Sequence, residues 1–241
     1  MIRFVTLDLW ETLIADSPRL DALRTEYRVR KTMDKLKDVY PGVDYNIVSK
    51  AHEATWQSCT GYWDAARDVS FEQQVRLFLN LIQEGLADRI DTPRFEAIAH
   101  SYATAVLKHP PRLIEGVPQA LKAMVGQGFS LGLICNTGRS PGKALRSLMD
   151  ELGISGFFSA KLFSDETIVR KPDPAIFRLA LAALGAQNDS TVHVGDSWNN
   201  DVEGANSAGL RAVWISPCGP PKPGCHVIET IASLPQLLNR M

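Results

Sequence analysis

Short runs of continuous apolar and β-branched residues, at 2–7, 131–135, 161–163, 191–194 and 212–215, do most to limit what this chain can fold into. Runs of this length without polar alternation suit strands covered on both faces, and parallel sheets are the sheets that need such strands. Helical patterns lie between them. Asp173 and Pro174 read as N-cap and first turn, Ile176, Phe177, Ala180, Leu181 and Leu184 form an apolar stripe, and Gly185 stops the helix. Leu145, Leu148, Met149 and Leu152 before Gly153 make a second stripe, and Val202, Ala205 and Ala208 before Gly209 a third. Strands alternating with helices predict an α/β fold with a parallel sheet.

The stretch between the first two runs carries no strand signal, yet a crossover between parallel strands needs only about a dozen residues. It is rich in helical spacing, as in Phe71, Val75, Phe78, Leu79, Ile82 and Leu86, whose expected role is core packing. The expected organisation is therefore a core of residues 1–15 and 95–241 with a helical insert at 16–94. The chain returns through a helix at 94–106 and a turn at His109, Pro110 and Pro111. Residues 217–223 read as a proline-rich loop.

With 45% hydrophobic and 22% charged residues, the 241-residue chain can bury a sizeable core. Lys plus Arg is 26 against Asp plus Glu 27, a net charge of -1, which lacks the basic footprint of a general nucleic-acid binder. The four cysteines, Cys59, Cys135, Cys218 and Cys225, form no CxxC pair, so neither a zinc site nor a disulfide framework is expected and a cytoplasmic setting fits. Asp8 interrupts the first apolar run too early for a signal peptide, and no segment is long enough to span a membrane. The oligomeric state is not legible.

In an open parallel sheet, ligands collect beyond the carboxyl ends of the strands. Asp8 follows the first run, with Thr12 four positions on; Cys135 closes the second, followed by Asn136, Thr137 and Gly138. Lys171 precedes Pro172 after the third, and Gly195 and Asp196 follow the fourth, with Asp201 beyond. Converging carboxylates repel, and a hard cation such as Mg2+ with oxygen ligands is the usual way to hold them together. An Asp at a strand end can also attack phosphorus or carbon, forming an aspartyl intermediate. Taken singly, such residues are more often helix caps; the joint pattern is what points to chemistry.

The segments LDLWETL at 7–13, LICNTG at 133–138, RKPDPAIF at 170–177 and HVGDSWNNDVEGANSAGL at 193–210 resemble, in order, the motifs of the haloacid dehalogenase superfamily. The insert between the first two looks like the helical C1-type cap of subfamily I, which includes phosphoglycolate phosphatase, β-phosphoglucomutase and the 2-haloacid dehalogenases. The resemblance implies a Rossmann-like three-layer core, with the site in the cleft beneath the cap. It implies Asp8 as nucleophile and Lys171 as the cation that orients it. Thr12, Asn136, Thr137 and Arg139 would meet the substrate. The metal position would be formed at Asp8, Trp10, Asp196 and Asp201, for Mg2+. The substrate would be a small, phosphorylated molecule.

Two residues depart from the pattern. The superfamily's phosphatases carry a second Asp two residues after the nucleophile, as acid and then base; here that position is Trp10, which cannot transfer the proton. Where Ser or Thr usually precedes the motif's Asn, Cys135 stands, so either the thiol replaces the hydroxyl or Thr137 takes over. Three readings follow: a weak or specialised phosphohydrolase, with Glu11 the nearest substitute carboxylate; a dehalogenase-like carbon–halogen hydrolase, since dehalogenases carry an aromatic residue at the Trp10 place; or a silent binder of a phosphorylated ligand. Gly195 and Asp196 match the magnesium-type motif and favour the first.

Other features read more plainly. Arg24, Arg28, Arg30 and Lys31 are expected to form a solvated helix face, although dehalogenases use an arginine from this region. His52, Trp56, Tyr62 and Trp63 are expected to pack between insert helices, and His193 to be a satisfied core histidine.

Overall fold

The computed structural model describes residues 1–216 and 224–241; the expected proline-rich loop at 217–223, with Cys218, lies outside them. In chain order the strands are β1 (Phe4–Leu7), β2 (Ile14–Ala15), β3 (Arg112–Leu113), β4 (Ser130–Cys135), β5 (Phe158–Phe163), β6 (Thr191–Gly195), β7 (Arg211–Ile215) and β8 (Cys225–Ile228). Six of them form one parallel sheet in the order β5-β4-β1-β6-β7-β8, while β2 and β3 make a small antiparallel pair. Central β1 aligns Leu7 with Leu133 of β4 on one side and with Val194 of β6 on the other. Successive side chains of β4 face opposite ways: Leu131, Leu133 and Cys135 enter one apolar core and Ile134 the other.

The helices that cover the sheet give it three layers. In chain order after the insert helices described below come α6 (Val117–Gly126), α7 (Gly142–Glu151), α8 (Ser164–Thr167), α9 (Pro174–Leu184), α10 (Gly204–Ser207) and α11 (Leu234–Leu238). Leu121 and Met124 of α6, Leu145 and Leu148 of α7 and Leu234 of α11 pack on one face, and Ile176, Phe177, Ala180 and Ala205 of α9 and α10 on the other. Burying a leucine-sized side chain fully contributes roughly 1.5–3 kcal/mol, so these two faces hold the sheet. The chain is thus an α/β protein with a Rossmann-like order of parallel strands.

The insert is helical and has its own core. Its helices are α1 (Pro18–Leu36), α2 (Tyr45–Asp64), α3 (Phe71–Ile82), α4 (Leu86–Arg89) and α5 (Thr92–Lys108). Each long one starts on a side-chain cap: Ser17, Asp44, Ser70 and Asp91 accept from the first-turn backbone, and Ser70 with Gln73 completes a capping box. Val29, Val48, Val75, Phe78, Leu79 and Ile98 lie at the centre of the cluster. Helix α5 links the two bodies, because its Ile98 and Tyr102 belong to the insert's core and its Val106 to the sheet's.

His52 of α2 sits in that insert core, its ring 6.2 Å from Phe78 and 5.6 Å from Tyr102, with Nε2 buried and without a hydrogen-bond partner among the described residues. Burial, with Arg139 and Arg28 nearby, pushes it down from 6.5 to about 3. A depressed histidine contributes stability that is complete above its unfolded value and is lost as pH falls toward its folded one. Melting temperature should therefore fall between pH 6.5 and 4 more steeply in the wild type than in His52→Phe, the loss of stability over that interval reaching about 3 kcal/mol. Equal slopes in the two proteins would place the acid sensitivity elsewhere.

The structure extends or corrects several sequence expectations. The run at 161–163 is the second half of a longer strand, β5, and β8 gave no strand signal. The Val202 stripe does not begin as an ordinary helix: Trp198–Glu203 is a wider π-helical turn that hands over to α10. The helix expected at 94–106 extends to Thr92–Lys108. Among the described residues no helix is long and apolar enough to cross a membrane.

Candidate active site

Asp8 leaves β1 beside the point where Asp196 leaves β6, which is where the strand order changes direction. Such a switch point opens a crevice at the carboxyl edge of the sheet. Lys171 reaches this place from the loop before α9. Its Nζ donates to Asp8 Oδ1 at 2.5 Å and to Asp201 Oδ1 at 2.7 Å, and the side chain is almost entirely buried. Asn136 fixes the lysine's backbone, its Nδ2 donating to Lys171 O at 2.9 Å and its Oδ1 accepting from Lys171 N at 2.8 Å. Asn136, expected to meet substrate, is thus engaged in holding Lys171.

Behind the lysine the chain of contacts continues. Asp201 Oδ1 also meets His193 Nε2 at 3.1 Å, and Oδ2 accepts from Ser197 N at 2.9 Å. A carboxylate oxygen only accepts, so His193 Nε2 carries the proton and Nδ1 accepts from Thr6 Oγ1 at 2.9 Å. Burial pushes His193 down, keeping it neutral. The satisfied core histidine expected from sequence is found, and it supports Asp201 as well. Gly195 makes this approach possible, since a Cβ there would lie 2.2 Å from Asp201 Cγ.

Oxygens of Asp8, Asp196 and Asp201 all lie within 4.8 Å of one another. Asp201, between Lys171, His193 and a backbone N–H, is held well below the usual carboxylate range. Asp8 is pushed up to about 7, first by burial and further by Asp201 and Asp196, against the pull of Lys171. Asp196 is also pushed up, by burial and Asp201. One ammonium does not balance this cluster, and an all-oxygen donor set with surplus negative charge fits a hard dication. Asp201 already has both oxygens engaged, whereas the Asp196 carboxylate meets Thr12 Oγ1 at a long 3.4 Å. The indole of Trp10 offers no oxygen, which leaves its backbone carbonyl as the group a metal could use.

Removing the lysine should be costly. Lys171→Met leaves Asp8 and Asp201 buried without a counter-charge, and breaking a buried pair this way typically costs about 3–5 kcal/mol. Urea unfolding at pH 8 should show that loss; a change below about 1 kcal/mol would mean the carboxylates are solvated rather than paired.

A cleft of about 330 Å³ opens between the sheet edge and the insert, its walls including Trp10, Arg24, Arg28, Trp56, Arg139 and Arg170. Arg24 pairs with Asp16 and donates to His109 O. Arg28 is buried, its Nε donating to Tyr102 O at 3.0 Å and its Nη2 to Ser140 Oγ at 3.1 Å; burial pushes it down to about 10, still protonated at neutral pH. The solvated face expected for this stretch therefore holds for Arg30 and Lys31 alone. Arg139 lies 4.4 Å over the Trp56 ring and Arg170 4.6 Å over Trp63. Trp56 and Trp63 pack edge to face, Trp56 also lines the cleft, and Tyr62 is exposed.

Other expected site residues lie elsewhere. Thr12 and Glu11 line a separate hollow with Asp196 on the far side of the β1 turn. Glu11 adopts a left-handed φ of 54° and its Oε1 accepts from Asp16 N; the carboxylates that line the cleft are Asp16 and Asp21. The Cys135 side chain is buried and burial pushes its thiol well up, the opposite of what a nucleophile needs. Thr137 lines the cleft but its N–H donates to Ser164 Oγ at 2.8 Å.

The haloacid dehalogenase-like hydrolase family model matches residues 2–209. A phosphoglycolate phosphatase of Pectobacterium atrosepticum is 29% identical over 216 residues, 89% of this chain and 80% of that protein. A phosphoserine phosphatase of Thermus thermophilus is 46% identical over 63 residues, 26% of this chain and a quarter (25%) of its own length. In fold the chain is similar to a 2-haloacid dehalogenase from Pseudomonas syringae, with a TM-score of 0.67 at 23% identity over 100% of this chain and 99% of that one. It is likewise similar to a phosphatase from Thermococcus onnurineus, TM-score 0.63 at 22% identity over 98% of each chain. A family match that runs from before β1 to beyond α10 agrees with the strand-end residues that the sheet gathers: the chain belongs to the haloacid dehalogenase-like hydrolases.

Proposed function

We propose that this protein is a Mg2+-dependent phosphohydrolase acting on a small phosphorylated molecule through an Asp8 nucleophile, with residues 16–94 as the cap over the site. The observation that carries this reading is the buried Asp8–Lys171–Asp201 chain beside Asp196; Trp10 and Arg170, close to these residues in sequence, and Asn136, which clamps Lys171, line the neighbouring cleft walled by arginines. Curated relatives that are phosphatases of small phosphorylated acids support the substrate class.

In this mechanism Asp8 attacks phosphorus, forms an acyl phosphate and expels the alcohol or acid; water then cleaves the acyl phosphate, releasing inorganic phosphate and restoring the carboxylate. Lys171 holds the attacking oxygen in place and offsets charge on the transferred group. Asp201, fixed by His193 and Ser197, positions Lys171. Asp8, Asp196 and the Trp10 carbonyl would hold Mg2+, which would neutralise phosphate oxygens as it does in other phosphoryl transfers. Arg139, stacked on Trp56, faces the substrate's anionic part. Trp10 supplies no proton to the leaving oxygen, so acyl phosphates and aryl phosphate esters, whose leaving groups depart without one, are the favoured substrates.

Trp10 also supports a second reading, carbon–halogen hydrolysis, because halide leaves without a proton. A screen of the purified protein against phosphate monoesters, acyl phosphates and 2-haloacids, with and without Mg2+, separates the two. The expected result is Mg2+-dependent phosphate release that Asp196→Asn weakens together with Mg2+ affinity by calorimetry. Metal-independent halide release overturns the phosphatase reading; Mg2+ binding without turnover of any compound leaves a ligand-binding protein.

A further inference from the structure

We infer that Asp68, carried by the insert, is a positioning residue for the reaction: it orders the core segment 164–170, and through that segment Thr137 and Lys171. The turn between α2 and α3 is docked on the core like an extra strand. Arg67 pairs with Val169, Asp68 N donates to Ile168 O at 3.2 Å and Arg170 N to Ala66 O at 3.2 Å. The Asp68 carboxylate is buried in this seam. Its Oδ1 accepts from Trp63 Nε1 at 3.0 Å and Val69 N at 2.9 Å; its Oδ2 accepts from Ser164 Oγ at 2.5 Å and faces Arg170 Nη1 at 3.4 Å.

These contacts fix the direction of a chain of protons. A carboxylate cannot donate, so the Ser164 hydroxyl gives its hydrogen to Asp68 and can then only accept. It accepts from Thr137 N at 2.8 Å, and in the 3.1 Å contact between the two hydroxyls Thr137 Oγ1 must be the donor. Thr137 Oγ1 accepts in turn from Asp165 N at 3.1 Å. With the insert docked, both donors of Thr137 thus point at Ser164, and the hydroxyl expected to replace the missing motif residue is engaged in framing the loop. The other end of the seam leads through Arg170, stacked on Trp63 in the cleft wall, to Lys171 next in sequence, whose backbone Asn136 clamps from beside Thr137. One insert carboxylate therefore ties down both edges of the loop that delivers the lysine to Asp8.

A buried charged group of this kind is weak evidence for stability, because an apolar side chain could fill the seam without desolvation. What the charge adds is a single arrangement of its donors. The turnover arm of the test rests on the phosphatase reading; the exchange arm does not. With p-nitrophenyl phosphate and Mg2+, Asp68→Asn and Ser164→Ala should each lower kcat roughly 10- to 100-fold, the scale of a slightly misplaced catalytic group. The double variant should be no worse than the poorer single one, since both cut the same chain. By amide exchange and mass spectrometry, Asp68→Asn should speed exchange across 164–170, a segment distant in sequence, while the sheet strands stay protected. A folded Asp68→Asn with wild-type kcat, or losses that simply add, would overturn the positioning role. Should the wild type hydrolyse no phosphate ester, the phosphatase reading fails by itself, and unchanged exchange across 164–170 would still overturn the docking claim.

Discussion

Asp8→Asn is expected to abolish phosphate release while leaving the metal-free protein at least as stable as the wild type. On the proposed mechanism the carboxylate makes the bond to phosphorus, and loss of a nucleophile is felt at roughly 10⁴- to 10⁶-fold in kcat. Stability moves the other way. Asp8 is raised in the folded protein to about 7 from 3.8, so what it contributes is complete below 3.8 and lost as pH rises through about 7. At pH 8 its charge is a cost, which Asn does not carry, and Asn Oδ1 can still accept from Lys171, which keeps Asp201. Melting curves at pH 8 should place the variant at or above the wild type without metal. With Mg2+ the order should reverse, because a ligand that binds only the native wild type raises its stability by mass action. A variant that melts well below the wild type in the absence of metal would show that the Asp8–Lys171 pair is a net stabiliser.

Trp10→Asp is expected to raise the rate on alkyl phosphates by about 10²- to 10⁴-fold, the usual worth of general acid help. The gain should be small for aryl and acyl phosphates, which leave without a proton. Trp10 is half-buried, packs on the main core and lines the cleft, so the position has access to a bound ligand. Losing the indole could cost up to roughly 3–5 kcal/mol through the cavity left behind, and the new carboxylate adds charge near Asp8 and Asp196. Rates are therefore compared on protein shown to be folded and saturated with Mg2+. No selective rise on alkyl phosphates would shift weight to the dehalogenase-like or binding-only reading.

Particular residues show what the sequence made legible. The central strands β1, β4 and β6 read clearly, because burial on both faces demands uninterrupted apolar runs. The misses are at the sheet edges, where exposed polar residues interrupt the apolar run: Ser159 in β5 and His226 in β8. Asp8, Lys171, Asp196 and Asp201 came together as expected since each directly follows or flanks a strand or the start of a helix. Arg24 and Arg28 were misread although the signal was present: with Thr32 and Leu36 they recur every fourth residue, and all are buried on one face of α1. Asn136 and Asp68 were not legible as positioning groups, because their partners Lys171, Ser164 and Arg170 come close only once the sheet and the insert are in place.

The central claim, that Asp8 carries the phosphoryl group, is tested most directly by trapping it. The protein with Mg2+ is mixed with acetyl phosphate, quenched in acid during turnover, reduced with borohydride and digested. Borohydride converts an aspartyl phosphate to homoserine, so the peptide holding residue 8 should carry that change, and Asp8→Asn should lack it. Phosphate release at a measurable rate with residue 8 unmodified, or with the modification on another carboxylate, would contradict the account.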